Sequence, residues 1–189
     1  FKNFSKINNV YLLLGSIPIT ENDKLFNRSI LINPDGDIIS IYDKIHMFDI
    51  TLKNGESYKE SDFYSPGSEL KITKVLGHSV GHTICYDLRY PKLYRALAKK
   101  GSQIIVVPSA FTHTTGKAHW HSLIKARAIE NGVFILAPNQ WGVNNEKRVT
   151  YGHTLIVDPW GETLAEAEDG EMIITCLLYT SDAADDPAS

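Results

Sequence analysis

Residues 81–91, GHTICYDLRYP, limit the fold of this chain more than any other stretch. They place one cysteine, Cys85, between the end of an apolar strand and Pro91, which can begin a helix because a missing N–H costs nothing there. A thiol at such a junction lies near unpaired backbone N–H groups, which favour the thiolate and can hold an oxyanion. The pattern is compatible with a nucleophile at Cys85, and also with a buried cysteine that acts as a small apolar residue.

The other apolar runs predict a sheet of many short strands around two helices. Strands are expected over residues 10–17, 29–32, 37–41, 70–75, 78–84, 103–107, 133–137, 154–157 and 172–177. Helices are expected over residues 91–100 and 118–131, each closed by a glycine. Strands and helices alternate in the middle of the chain, which predicts an α/β domain with a mixed sheet in two layers. The polar segment 50–69, which contains Glu60, is predicted to be a functional loop.

Composition and charge exclude several classes of function. The chain is 43% hydrophobic and 22% charged, as globular proteins are, and its net charge of −3 without a long run of like charges predicts no nucleic-acid partner. No apolar segment is long enough for a membrane span, so no membrane partner is expected. Two cysteines, Cys85 and Cys176, give no disulfide framework, which predicts a cytoplasmic location.

The two ends of the chain predict a truncated domain. The sequence opens on Phe1 without a methionine or a signal peptide, so we expect a piece of a longer protein. Residues 178–189 have no apolar period and are rich in small and acidic residues. We therefore expect a domain over residues 1–177 and a non-native or disordered tail over residues 178–189.

Seven histidines raise the question of a metal site. His119 and His121 are two residues apart on a predicted helix and so point about 200° away from each other. No pair of cysteines and no further HxxxH pattern accompanies His78 and His82, and no phosphate-binding glycine pattern appears, so neither a metal nor a cofactor is predicted. His119 or His153 could pair with Cys85 as in a papain-like hydrolase, and the spacing leaves this alternative open.

Several motifs in a fixed order resemble the nitrilase superfamily of carbon–nitrogen hydrolases, and within it the Nit-type amidases. The motifs are YDKIHMFD around Lys44, ESDFYSPG from Glu60, and GHTICYDLRYP around Cys85. Two downstream stretches extend the resemblance, PSAFTHTTGKAHWHSLIKARAIEN and YGHTLIVDPWGE. It covers residues 10–177 and is most similar to the branch that acts on deaminated glutathione.

The resemblance implies an α-β-β-α sandwich, incomplete at both ends here, that forms a homodimer and hydrolyses a small amide to release ammonia. Cys85 would attack the amide carbonyl to give a thioester. Lys44, together with the backbone N–H of Tyr86, would stabilise the oxyanion, and Glu60 would orient the substrate and the lysine. The alternative for Lys44 is that it extends into solvent, as most lysines do.

The substrate is expected to carry a carboxylate, because the stretch 146–161 resembles the deaminated glutathione branch more than the omega-amidase branch. Arg148 or Arg127 would meet that carboxylate in two hydrogen bonds. Tyr86 and Phe111 complete the predicted substrate-binding residues. An omega-amidase acting on 2-oxoglutaramate and a catalytically silent binding homologue stay open as alternatives.

The general base is where this sequence departs from the family pattern. The family takes it from a glutamate on a strand well before the lysine. Glu21 is the one glutamate upstream of Lys44, and it lies in a polar stretch outside every matching motif. We therefore expect the base to lie outside these residues and the chain alone to be inactive.

Overall fold

The computed structural model of the chain describes residues 1–51, 55, 57–145 and 148–179. In chain order, its helices and strands are α1 (Lys2–Asn8), β1 (Leu12–Glu21), β2 (Lys24–Ile32), β3 (Ile38–Asp43), β4 (Asp49–Thr51), β5 (Ser57–Lys59), β6 (Ile72–Val75), β7 (His78–His82), α2 (Pro91–Lys99), β8 (Ile104–Val106), α3 (His113–Asn131), β9 (Phe134–Ala137), β10 (Trp141–Asn145), β11 (Arg148–Tyr151), β12 (Leu155–Val157) and β13 (Thr163–Glu166). Short 3-10 helices span Glu60–Asp62 and Cys85–Arg89. None of the helices described is both long and apolar enough to cross a membrane.

The first sheet is an antiparallel meander in the order β1-β2-β3. Asn22 and Asp23 join β1 to β2 with positive φ angles of 50° and 60°, the conformation of a two-residue hairpin turn whose twist matches that of the strands. Glu21, which the sequence places in a polar stretch, is therefore the last residue of β1. Its carboxylate forms an ion pair with Arg28 on β2 at 2.8 Å.

The second sheet has six strands in the order β13-β12-β9-β8-β7-β6. The pairs β7–β8 and β8–β9 are parallel and the other three are antiparallel, so the prediction of a mixed sheet in an α/β fold is confirmed. The carboxyl ends of β7 and β8 lie side by side, which is the edge at which α/β sheets place their sites.

Helices and sheets form three layers, one more than the two that the alternation of helices and strands predicted. Apolar side chains of α2 and α3, among them Leu97 and Trp120, pack in one core with Ile105 and Ile135 of the six-stranded sheet. The opposite face of that sheet packs against β3 of the first sheet. The Ser40 hydroxyl of β3 lies 3.5 Å from Nε2 of His82 on β7. These are the α, β and β layers of the predicted α-β-β-α sandwich.

Two predictions about individual elements are wrong. Helix α3 begins at His113 and not at residue 118, because the Thr112 side chain accepts a hydrogen bond from the Thr115 N–H and caps an earlier start. The apolar run Met172–Leu177 forms no strand. Among the residues that the structure covers, no strand bonds to it, so Ile173 stays exposed with nothing to pack on.

The polar stretch 50–69, predicted to be a loop, includes the end of β4, the strand β5 and the helix Glu60–Asp62, and β4 and β5 pair as an antiparallel hairpin. Farther along the chain, β10 and β11 form a second antiparallel hairpin. Residues 180–189 of the predicted tail lie outside the described residues. Residues 178 and 179 belong to no helix or strand.

Candidate active site

Cys85 lies where β7 gives way to the 3-10 helix Cys85–Arg89. Its φ is 48°, in the left-handed region that residues other than glycine rarely adopt and that is common at functional sites. Its N–H donates to the carbonyl oxygen of Pro108 at 3.0 Å, which ties the end of β7 to the end of β8. The thiol is thus held by backbone geometry at the carboxyl edge of two parallel strands.

Asp87, two residues later, fixes this turn from inside. Its buried carboxylate accepts hydrogen bonds from the Ile84 N–H at 2.9 Å and from the Tyr42 hydroxyl at 2.7 Å. It also accepts from the His46 N–H at 3.0 Å and lies 2.7 Å from His46 Nδ1. Burial and the neighbouring Asp87 charge raise the pKa of Tyr42, so that its hydroxyl stays a donor. No role for Asp87 was apparent from the sequence.

Lys44 is only 2% exposed and forms an ion pair with Glu60. The same Glu60 oxygen, Oε2, accepts from the Phe48 N–H at 2.7 Å, and Oε1 accepts from Asn27 Nδ2 at 3.0 Å. Asn27 is oriented in turn by the Ser16 hydroxyl, which donates to its Oδ1 at 2.6 Å. The alternative in which Lys44 extends into solvent is therefore wrong.

The inward direction of Lys44 follows from strand alternation. Tyr42 is buried and Lys44 continues on the same side, whereas Ile41 is 41% exposed. Successive side chains of a strand point to opposite faces, and Ile41 and Lys44 are three residues apart, so they point to opposite faces of the sheet.

One cavity of about 620 Å³ brings the predicted site residues together. It is lined by all three predicted catalytic residues and all three predicted substrate-binding residues: Cys85, Lys44, Glu60, Tyr86, Phe111 and Arg148. Glu60 supplies the one carboxylate among the lining residues that the structure describes. The site thus combines a thiol, a buried ammonium and a mixed apolar and cationic wall, a set suited to covalent acyl transfer.

The two candidate arginines have different places in the structure. Arg148 lines the cavity; its Nη2 donates to the Ala110 carbonyl at 3.1 Å, while its buried Nε has no hydrogen-bond partner among the described residues. Arg127 is buried away from the cavity, with Nε donating to the Leu88 carbonyl at 3.0 Å and Nη1 to Glu130 at 2.9 Å. Arg127 is not among the described lining residues, and its Nε and Nη1 already bond to the fold, so it is not placed to meet a ligand in this cavity.

Arg89 also lines the cavity, and the sequence analysis did not single it out as a binding residue. Its guanidinium lies over the rings of Tyr86 and Phe111, at 5.9 and 5.7 Å from their centroids, and its Nη2 lies 3.2 Å from His119 Nδ1. The sequence signal that could have identified Arg89 is its position four residues after Cys85. In the structure both residues belong to one 3-10 helix.

The histidines proposed for a papain-like pair are not at the cavity. Neither His119 nor His153 is among its described lining residues, which argues against a Cys–His pair. His153 Nδ1 instead lies 2.8 Å from Glu166 Oε1, and His121 Nε2 lies 2.9 Å from the same oxygen. In the sequence the nearest histidine to His121 is His119, whereas the fold brings His121 to His153 and Glu166, which lie far along the chain.

Comparison with known proteins agrees with this geometry. The family model described as carbon–nitrogen hydrolase matches residues 1–184. The deaminated glutathione amidase of Yersinia enterocolitica is 43% identical over 176 residues, which are 91% of this chain and 62% of that protein. The deaminated glutathione amidase of Dictyostelium discoideum is 40% identical over 174 residues, 89% of this chain and 60% of that protein. Omega-amidase NIT2 of Xenopus tropicalis is 39% identical over 166 residues, 88% of this chain and 60% of that protein.

Solved structures show the same fold. The NitFhit protein of C. elegans superposes with a TM-score of 0.84 at 35% identity, over 89% of this chain and 42% of that one. Saccharomyces cerevisiae Nit3, a member of branch 10 of the nitrilase superfamily, superposes with a TM-score of 0.81 at 34% identity, over 90% of this chain and 60% of that one. The chain thus spans about 60% of the length of most of the relatives named here.

Proposed function

Because the chain belongs to the carbon–nitrogen hydrolase family, we propose that it carries the nucleophile and the oxyanion-binding groups of an amidase. The reaction is hydrolysis of the primary amide of a small carboxylate-bearing substrate, and the proposed substrate is deaminated glutathione. The observation that carries the proposal is the single cavity on which Cys85 and the buried Lys44–Glu60 pair converge.

In the proposed reaction the Cys85 thiolate adds to the amide carbonyl carbon. The oxyanion that forms faces the Lys44 ammonium and the N–H of Tyr86, which stands at the second position of a 3-10 helix, where a backbone N–H has no partner within the helix. The C–N bond breaks and the leaving nitrogen takes up a proton to depart as ammonia. Water then cleaves the thioester, giving the carboxylic acid and restoring the thiol.

The proton transfers need a base that Glu60 is poorly placed to provide. Its Oε2 is engaged by Lys44 and the Phe48 N–H, and its Oε1 by Asn27, so neither oxygen is available to take a thiol proton. Glu21 pairs with Arg28 and is not among the described lining residues. We propose that a second carboxylate, from outside this sequence, is the base, and that the chain alone is inactive.

The choice of a carboxylate-bearing substrate rests on Arg148. A buried guanidinium Nε without a partner is costly unless a ligand satisfies it, and a carboxylate fits the planar fork of arginine. Arg89 adds a second cation on the same wall. The identities of 43% and 40% to deaminated glutathione amidases, against 39% and 37% to omega-amidases, favour deaminated glutathione by a small margin.

A coupled ammonia assay tests the proposal. The chain as given and a version extended upstream are each assayed with deaminated glutathione, 2-oxoglutaramate and an aliphatic nitrile. We expect ammonia from the extended protein, most from deaminated glutathione, less from 2-oxoglutaramate and little from the nitrile. Preference for 2-oxoglutaramate would overturn the substrate alone, preference for the nitrile would overturn the amidase assignment, and full activity of the unextended chain would overturn the external base.

Location and assembly are also part of the proposal. Both cysteines, Cys85 and Cys176, are free thiols, which supports a reducing cytoplasm. The homodimer rests on the family resemblance, and light scattering of the purified protein tests it.

A further inference from the structure

A cluster of nitrogen and oxygen ligands lies apart from the residues that line the active-site cavity. We propose that His121, His153 and Glu166 form a binding site for a divalent transition-metal ion of the zinc type. One ligand atom from each residue lies within 4.8 Å of the other two. This proposal does not depend on the proposed amidase reaction.

The donor set favours a borderline metal such as Zn²⁺. Two imidazoles and one carboxylate are ligands that zinc accepts in tetrahedral sites, whereas Mg²⁺ and Ca²⁺ favour all-oxygen sites. Zinc bonds of about 2.1 Å would place tetrahedral ligand atoms about 3.4 Å apart. Glu166 Oε1 now lies 2.9 Å from His121 Nε2 and 2.8 Å from His153 Nδ1, so a small outward shift of partly exposed side chains would admit the ion.

His153 is held in place before any ion binds. Its backbone has a φ of 57°, and its carbonyl oxygen accepts a 2.7 Å hydrogen bond from the indole N–H of the fully buried Trp120. Its ring stacks on Tyr151 with centroids 4.4 Å apart. A site with one preset ligand loses less entropy on binding.

The three ligands come from separate elements: His121 from α3, His153 from the loop between β11 and β12, and Glu166 from β13. A metal here would fasten the helix layer to the outer strand of the six-stranded sheet. Binding to the folded state alone would stabilise the fold by mass action.

The test measures metal binding by the full chain, expressed without a histidine tag and stripped with a chelator. It is carried out in a Cys85→Ala background so that the active-site thiol contributes nothing. Cobalt(II) is titrated while the visible absorption of tetrahedral cobalt is followed, and zinc is titrated by calorimetry. We expect one ion per chain and a melting temperature that rises by several degrees with zinc.

Matched variants decide whether the ion sits where we propose. His121→Ala and His153→Ala should each weaken binding by a factor of about 100, and Glu166→Gln, which keeps the shape of the side chain, should weaken it by about 10 or more. His119→Ala, on the same helix but pointing away, should bind as tightly as the parent. Equal affinity in the His121 and His119 variants, or no cobalt spectrum at all, would overturn the site and leave a hydrogen-bonded histidine cluster.

Discussion

Lys44 and Glu60 form a buried ion pair across the base of the hairpin β4–β5. Lys44 precedes the hairpin and Glu60 follows it directly, and Asp49 pairs with Lys59 in the register that brings the two ends together. The hairpin therefore positions the Lys44 ammonium group at the cavity that Cys85 also lines.

Replacing Lys44 by methionine should lower kcat for ammonia release by a factor of about 100 or more, since the loss of one oxyanion donor commonly has that effect. Steady-state kinetics on the active, extended protein measures it. Lys92→Met, which removes an exposed lysine, is the control and should stay near the wild-type rate. A change of less than a few-fold in the Lys44 variant would remove it from the mechanism.

Arg148→Lys tests whether the guanidinium binds the substrate carboxylate. Lysine keeps the charge but loses the planar fork, so KM should rise by about ten-fold or more while kcat changes less. Arg95→Lys, at an exposed position of α2, serves as the matched control. An unchanged KM for deaminated glutathione would show that the carboxylate is bound elsewhere.

Asp87→Asn should lower the free energy of unfolding by about 3 kcal/mol. The Asp87 carboxylate accepts from the Ile84 N–H, the His46 N–H and the Tyr42 hydroxyl. An amide at this buried position would place its own NH₂ donor against at least one of these donors, so a hydrogen bond would be lost without replacement. Urea denaturation measures the loss, and Asp62→Asn at an exposed position gives the baseline. Equal stabilities would mean that Asp87 does not hold the turn that carries Cys85.

The sequence predicted the parts of the site that lie in local motifs. Cys85 was expected at a strand-to-helix junction, and Lys44 and Glu60 were expected beside it because of the family resemblance; all three line one cavity. The mixed sheet was also predictable, since apolar runs and glycine-closed helices alternate along the middle of the chain.

The parts that sequence reasoning missed depend on contacts between distant residues. Asp87 looked like an ordinary charged residue because its partners Tyr42 and His46 lie about forty residues earlier. His121 was judged against its neighbour on the helix, although its contact is Glu166 on β13. The run Met172–Leu177 has the composition of a strand, but a strand needs a bonded neighbour, which composition cannot supply.

The buried His82 predicts how stability depends on pH. Burial lowers its pKa from 6.5 to about 4, so the unfolded chain takes up a proton before the folded chain does. The free energy of unfolding should therefore fall as pH drops from 6.5 toward 4, by at most about 3 kcal/mol at 1.36 kcal/mol per pH unit. Urea denaturation across this range should show a shallower pH dependence for His82→Gln. Parallel curves for the two proteins would contradict the assignment.

The central claim is that the Cys85 thiol is the nucleophile, and the two cysteines of the chain provide the most direct test of it. The measurement is the rate of ammonia release from deaminated glutathione by Cys85→Ala and by Cys176→Ala in the extended protein. We expect the first variant to lose activity by a factor of about 1,000 or more with its fold intact, and the second to keep the wild-type rate. Substantial turnover by a folded Cys85→Ala protein would contradict the account.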